Sequence, residues 1–121
     1  MIDKELITQK VDAELSRIVS AGVLDAMQPL LVSPRYELRE WDYGEPGQKF
    51  PCWIILDHSL TNTCIAYCEH GFGSSSPWGL LSITGEHLTI GMDCGWYSTL
   101  EDAYRESMLW DDDNTPAYKV A

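Results

Sequence analysis

Cysteine and histidine side chains are the groups in this sequence best suited to bind a metal ion. Cys64, Cys68 and His70 follow one another with C-x3-C-x-H spacing, and Cys94 lies farther along the chain. Thiolates and imidazoles are the ligands that zinc prefers. A C-x3-C pair on a strand, however, places both thiols on one face, whereas zinc knuckles sit on turns with C-x2-C spacing. We therefore expect no metal and no cofactor, and we interpret the cysteines as core residues.

A cysteine nucleophile with a histidine base is a second possible chemistry. Cys68 or Cys94 would supply the thiolate, and the candidate bases are His58, His70 and His87. Such a pair also needs a third group that orients the histidine, and the spacing identifies none. A small thiol enzyme or metal-binding domain built on Cys68, His70 and Cys94 stays an alternative.

Two other motifs predict no site. The Gly71-x-Gly73 loop precedes a strand rather than a helix and lacks lysine, so it does not make a phosphate cradle. The consecutive carboxylates Asp111, Asp112 and Asp113 diverge in direction and lack the spacing of an EF-hand. We expect residues 111–121 to form an acidic, partly ordered tail.

Acidic charge is the dominant feature of the composition. The chain has 19 acidic against 8 basic residues, a formal net charge of −11. Between residues 50 and 118 the only basic residue is Arg105, against ten acidic residues. Phosphate contacts need Lys and Arg, so this charge argues against nucleic acid or an anionic membrane as ligand. It would attract a basic partner, although acidity also serves solubility alone.

The length of 121 residues predicts a single domain, 1–121. No apolar run approaches the ~20 residues of a membrane span. The N-terminal segment MIDKELITQK lacks the apolar stretch of a signal peptide. We therefore expect a cytoplasmic protein with reduced cysteines.

A helix is predicted at each end of the chain. Asp3 is a natural N-cap for a helix that ends near Ala21. Its predicted buried stripe is Ile7, Val11, Leu15 and Ile18. Glu14, near the edge of that stripe, is expected to be solvated.

The second helix is predicted to begin at Ser98, which forms a Ser-x-x-Glu capping box with Glu101. Leu100, Ala103 and Tyr104 share one helical face, because they fall at i, i+3 and i+4. The opposite face carries Glu101, Asp102, Arg105 and Glu106.

Five extended segments lie between the helices. They are 34–43, 50–57, 63–69, a strand around Leu81 and Ile83, and 87–92, where apolar and other residues alternate. The continuous apolar run FPCWIILD at 50–57 predicts a central strand covered on both faces. The fold class is therefore α+β, with an antiparallel meander of about five strands and both helices packed on one face.

Tryptophans beside the acidic residues suggest how a partner would be held. Trp78, Trp96 and Trp110 each flank a glycine, a proline or an acidic cluster, which predicts partial exposure. Aromatic anchors in an acidic field are typical of protein–protein hot spots.

The segment 72–101 resembles the small acidic immunity proteins of bacterial polymorphic or contact-dependent toxin systems. The resemblance lies in the Gly-Phe-Gly loop, in Pro77-Trp78-Gly79, in Gly91-Met92-Asp93-x-Gly95-Trp96 and in Leu100-Glu101-Asp102-Ala103. It covers about a quarter of the chain, and no residue-level site carries over from it. The resemblance implies an intracellular, metal-free inhibitor of one cognate toxin, often a basic nuclease.

The function predicted from the sequence is therefore an acidic protein-binding inhibitor of a cationic toxin. Its carboxylates would meet the Lys and Arg residues that hold the toxin's substrate, and an indole would anchor the contact. The predicted partner-binding residues are Asp93, Trp96, Glu101, Asp102, Glu106 and Trp78. A regulatory interaction domain with no toxin is a further alternative.

Overall fold

The computed structural model describes residues 3–41, 45, 47–85, 89–91, 95–107 and 109–110. In chain order the elements are α1 (Lys4–Arg17), α2 (Ala21–Met27), β1 (Leu31–Arg39), β2 (Phe50–His58), β3 (Thr63–Tyr67), β4 (Trp78–Ser82), β5 (Trp96–Tyr97) and α3 (Leu100–Glu106). The strands form one antiparallel sheet in the order β1-β2-β3-β4-β5. The predicted α+β fold, with helices at both ends and a five-stranded meander, is confirmed. The predicted tail at 111–121 lies outside the described residues.

The N-terminal helix begins where the sequence predicts and ends earlier. The Asp3 carboxylate accepts the N–H of Leu6 at 2.9 Å, which confirms it as the N-cap. The backbone turns to an extended conformation at Ile18, and Ser20 caps the separate helix α2. The prediction of one helix to Ala21 is therefore wrong. No helix in the described part of the chain has the length and apolar character needed to cross a membrane.

Strand β2 is covered on both faces, as its apolar sequence predicts. One face of the sheet packs against the helices in the helix-side core, which includes Ile7, Val11, Leu56, Ile65, Trp78, Leu100 and Tyr104. The other face forms the loop-side core, with Phe50, Cys52, Ile54, Cys64, Ala66, Cys68, Leu81, Ile90 and Trp96. A bulge between Ile54 and Leu56 shifts the register against β3. Because a shift of one residue reverses the face of each later side chain, Ile55 and Leu56 both reach the helix-side core.

The fifth strand differs from the prediction. Strand β4 pairs with β5, through Trp78 with Tyr97 and Gly79 with Trp96, and not with 89–91, the described part of the predicted segment 87–92. Thr89 instead bridges Glu40 in parallel at the end of β1, and the Ile90 N–H donates to the Glu40 carbonyl at 2.9 Å. The rest of that segment, at 87–88 and 92, lies outside the described residues. The alternation in the sequence indicated a buried Ile90, and Ile90 is buried. The alternation does not specify which strand the segment pairs with.

Candidate partner-binding surface

The position of α3 is set by two acceptors at its N-terminus. The Thr99 hydroxyl accepts the N–H of Asp102 at 3.0 Å, so Thr99 is the N-cap. A carboxylate oxygen of Glu14, on α1, accepts the N–H of Leu100 at 2.8 Å. The predicted capping box of Ser98 with Glu101 is therefore wrong, and so is the prediction that Glu14 is solvated. Two of the otherwise unpaired donors of the first turn are satisfied, one of them by a distant helix.

The charges of α3 divide into a neutralised pair and an exposed pair. Glu101 pairs with Arg105 at 2.8 Å, and Arg105 is buried with its guanidinium 5.6 Å from the centre of the Trp110 ring. Asp102 and Glu106 are exposed, and no ion pair to either occurs among the described residues. They stand four residues apart, so they lie side by side on the helix surface. We call these two carboxylates the α3 acidic pair.

A cavity of about 470 Å³ adjoins the α3 acidic pair, because Glu106, one member of the pair, is among the residues that line the cavity. Its other lining residues are Arg39, Thr61, Asn62, Thr63, Leu80, Leu81, Ser82, Thr89, Gly91 and Ser107. Arg39 is only 2% exposed, and its Nε donates to Glu37 at 2.7 Å. Its Nη2 has no acceptor within the described residues. The cavity thus offers one exposed carboxylate, that of Glu106, to a side chain that enters it.

The three tryptophans with predicted partial exposure are buried. Trp78 is 3% exposed and packs edge-on against Tyr67, with 4.9 Å between ring centres. Trp96 is 5% exposed and donates its Nε1–H to the Ile90 carbonyl at 2.7 Å. Trp110 is buried as well. The prediction of partial exposure is wrong for all three, because each indole fills a core position rather than the edge of an acidic loop.

The residues of the thiol alternative are partly described. Cys68 and Cys64 both lie in the loop-side core, as C-x3-C spacing on a strand predicts. The neighbouring Cys52 thiol lowers the pKa of Cys68 to about 7, with help from the backbone N–H groups of His70 and Gly71 and against the effect of burial. The proton of the Cys52 thiol itself is donated to the Phe50 carbonyl at 3.6 Å. The interaction between the two thiols, together with burial, raises the pKa of Cys52. Burial raises the pKa of Cys64 to about 11.

These thiols have little access to a substrate. Cys52, Cys64 and Cys68 are buried, whereas His70 is exposed. No group of three His, Cys, Asp or Glu side chains in the described ranges is arranged to hold a metal ion. Cys94 lies outside those ranges, as does Asp93 of the predicted partner-binding set. Of that set, the structure brings together Glu101, Asp102 and Glu106 on α3.

Sequence reasoning missed the charged residues of β1. Arg35, Glu37 and Arg39 alternate along the strand and project to the loop-side face, since they lie opposite Ile54, Cys52 and Phe50 of that core. Arg35 also pairs with Asp57 at 3.2 Å. The alternation of charge in RYELR was the available signal, because inward-pointing charges are one device that protects edge strands.

Comparison of the chain with protein-family models, with curated proteins and with solved structures finds no match. The resemblance to immunity proteins therefore stays a prediction.

Proposed function

We propose that this protein is an acidic inhibitor that binds a basic protein through α3, as an immunity protein binds its toxin. The observation that carries the proposal is the α3 acidic pair, two exposed carboxylates without ion-pair partners in the described structure. The cognate partner would be a cationic toxin, and a nuclease is the class that fits best. Its Lys and Arg residues would meet Asp102 and Glu106 instead of substrate phosphates.

The position of Glu106 supports a role in binding rather than in helix stability. Acidic residues in the first turn of a helix, such as Glu101 and Asp102, are stabilised by the helix dipole. Glu106 is the last residue of α3, where the dipole disfavours a negative charge. Like charges four residues apart also cost the helix roughly 0.2–0.5 kcal/mol. Both costs fall when a cation of a partner approaches the pair.

Because the tryptophans are buried, the cavity beside Glu106 is the feature that would anchor the partner. A Lys or Arg side chain could lay its apolar stem along Leu80 and place its charge at the Glu106 carboxylate. Arg39 also lines the cavity, but Glu37 balances its charge. Complementary charge at the rim would speed association, and the filled cavity would slow dissociation.

Thiol chemistry is the second candidate, and the lowered pKa of Cys68 is the observation that favours it. A thiolate near neutral pH is a better nucleophile than an ordinary cysteine. Cys68 is nevertheless 1% exposed, so a substrate would have to displace part of the loop-side core to reach it. Binding through α3 requires no such change.

The product of the neighbouring gene is the first candidate partner with which to test inhibition. The purified partner is assayed for nuclease activity with increasing amounts of this protein. The proposal predicts loss of activity at an equimolar ratio, and recovery of activity when Asp102→Lys and Glu106→Lys are combined. Tight binding without inhibition would contradict occlusion and favour a regulatory domain. Inhibition that requires Cys68 instead of the α3 acidic pair would favour the thiol alternative.

A further inference from the structure

The outer side of β1 is an exposed edge of the sheet. β1 is the first strand in the sheet order, and its only described partner strand is β2. Tyr36 and Leu38 at its centre are each 53% exposed, which makes them two of the four large exposed hydrophobic residues described. Tyr36 stacks against Trp53 of β2, with 5.1 Å between ring centres. An aromatic patch therefore lies beside a row of backbone groups that have no partner strand in the described ranges.

The pairing with β2 determines which backbone groups point outward. Leu38 lies opposite Pro51, and Pro51 has no N–H. Leu38 and Pro51 therefore cannot exchange the two hydrogen bonds of a hydrogen-bonded pair. The hydrogen-bonded pairs must be those of Arg35, Glu37 and Arg39 with β2, because the two kinds of pair alternate. The N–H and C=O groups of Tyr36 and Leu38 point away from the sheet.

The charged side chains along this edge would lie opposite residues of opposite charge if a second copy of the strand paired with it in an antiparallel arrangement. Arg35 and Glu37 project on the loop-side face, while Tyr36 and Leu38 project on the opposite face. An antiparallel copy of the strand, centred on Tyr36, would place Arg35 opposite Glu37 on both sides of a two-fold axis. A register centred on Glu37 would instead place two like charges opposite each other.

We propose that two copies of this chain pair through β1, antiparallel, with Tyr36 opposite Tyr36 of the second copy. The two tyrosines exchange two backbone hydrogen bonds, and each Leu38 N–H donates to the Pro34 carbonyl of the other copy. Two Arg35–Glu37 pairs form on one face, and on the other face Tyr36 and Leu38 lose their exposure to water. This dimer is independent of the function proposed for α3.

The pairing is limited to residues 34–38. Beyond Arg39, the carbonyl of Glu40 already accepts the N–H of Ile90. Before Arg35, the register against β2 shifts between Leu31 and Arg35, which bends the strand, and Pro34 has no N–H to give. An interface of five residues a side is small, so we expect a dimer that forms reversibly with rising concentration. Among the strands α3 contacts β4 and β5, at the far edge of the sheet, so the dimer leaves the α3 acidic pair accessible.

Cross-linking tests the two-fold axis directly. Tyr36→Cys is made in a Cys94→Ser background, since the other three cysteines are buried. Paired residues in this register have Cα atoms about 5.5 Å apart, within the range that a disulfide spans. Mild oxidation should convert Tyr36→Cys to a covalent dimer at least tenfold faster than Val19→Cys, a control at a residue exposed by 96%. Equal rates for the two variants would overturn the proposal.

A charge variant separates this dimer from other self-association. Arg35→Glu places two acidic residues opposite each other twice in the interface, and Lys4→Glu makes the same change of net charge on α1. Sedimentation equilibrium of the full chain should show dimer for the unmodified protein and Lys4→Glu, and monomer for Arg35→Glu. The circular dichroism of all three must match. Monomer for the unmodified protein at every concentration, or an unaffected Arg35→Glu dimer, would show that β1 does not pair with itself.

Discussion

The carboxylate of Glu14 accepts the backbone N–H of Leu100 at 2.8 Å, so a side chain of α1 caps α3 from 86 positions away in the sequence. The other carboxylate oxygen of Glu14 pairs with Arg17 at 2.9 Å. This contact fixes the start of α3 to α1. The orientation of Asp102 and Glu106 therefore depends on the N-terminal helix.

Glu14→Ala should lower the free energy of unfolding by about 1.5–3 kcal/mol, because hydrogen bonds to charged groups contribute about that much. Urea denaturation measures the change. Asp12→Ala is the control, since Asp12 is exposed on the same helix and should change stability by less than about 0.5 kcal/mol. Equal effects of the two substitutions would show that the cap does not form.

Thr99→Ala should cost about 1 kcal/mol of unfolding free energy, as the loss of an N-cap does. Ser98→Ala removes an exposed hydroxyl one residue earlier and should cost less than about 0.5 kcal/mol. The midpoints of chemical denaturation compare the two variants. A larger effect for Ser98→Ala would show that Ser98 is the N-cap and that α3 begins one residue earlier.

The caps of α1 and α3 show which contacts can be predicted from the sequence and which cannot. Asp3 was predicted correctly because its contact to Leu6 is local and spans three residues. The Glu14 contact to Leu100 depends on how two helices pack, and no local spacing encodes it. Ser98 and Thr99 are adjacent and chemically equivalent as caps, so only the backbone path after β5 decides between them.

The candidate site shows the same division. Composition and helical periodicity predicted that Glu101, Asp102 and Glu106 lie on one helix, and they do. The exposure of Trp96 was predicted wrongly, because an indole beside glycines fits both a surface loop and a core. Gly79 decides the matter: a Cβ at that residue would lie 2.5 Å from the Trp96 ring, so the glycine makes room for it.

Gly79→Ala should therefore destabilise the protein by about 1–3 kcal/mol, the usual cost of overpacking a core. Gly95→Ala is the control, since among the described residues its new Cβ would meet only the Leu80 carbonyl, at an ordinary 3.7 Å. Thermal or urea unfolding compares the variants, and the fluorescence of the tryptophans, of which Trp96 lies in the loop-side core, follows the transition. If Gly79→Ala is no less stable than Gly95→Ala, Trp96 does not pack against β4.

The thiol pair predicts a dependence of stability on pH. The pKa of Cys68 falls from 9.0 to about 7 on folding, so the unfolded chain holds more protons between these values. The contribution of Cys68 to the free energy of unfolding should therefore increase as the pH rises from 7 to 9. This contribution is lost as the pH falls through 7. Cys52→Ala removes the thiol that lowers the pKa of Cys68 and should flatten this rise. The lost volume lowers stability at every pH, so the slope of unfolding free energy against pH is compared, and an unchanged slope would contradict the effect of Cys52 on Cys68.

The central proposal is that the α3 acidic pair meets a basic partner. Steering by exposed charge acts before contact and is screened by salt, with a Debye length of about 8 Å at physiological ionic strength. Reversal of the pair should therefore slow association and weaken its dependence on salt. Reversal of acidic residues elsewhere, with the same change of net charge, should have a smaller effect, since local charge at the interface steers more strongly than distant charge.

The most direct measurement is the association rate with a basic partner protein identified by the inhibition assay, for the unmodified protein and for two double variants that keep native circular dichroism. Asp102→Lys with Glu106→Lys should slow association by about tenfold or more at low salt. Glu5→Lys with Asp12→Lys reverses two exposed carboxylates of α1 and should slow it much less. If the α1 variant slows association as much as the α3 variant, or if the α3 variant binds at the unmodified rate, α3 is not the surface that meets the partner.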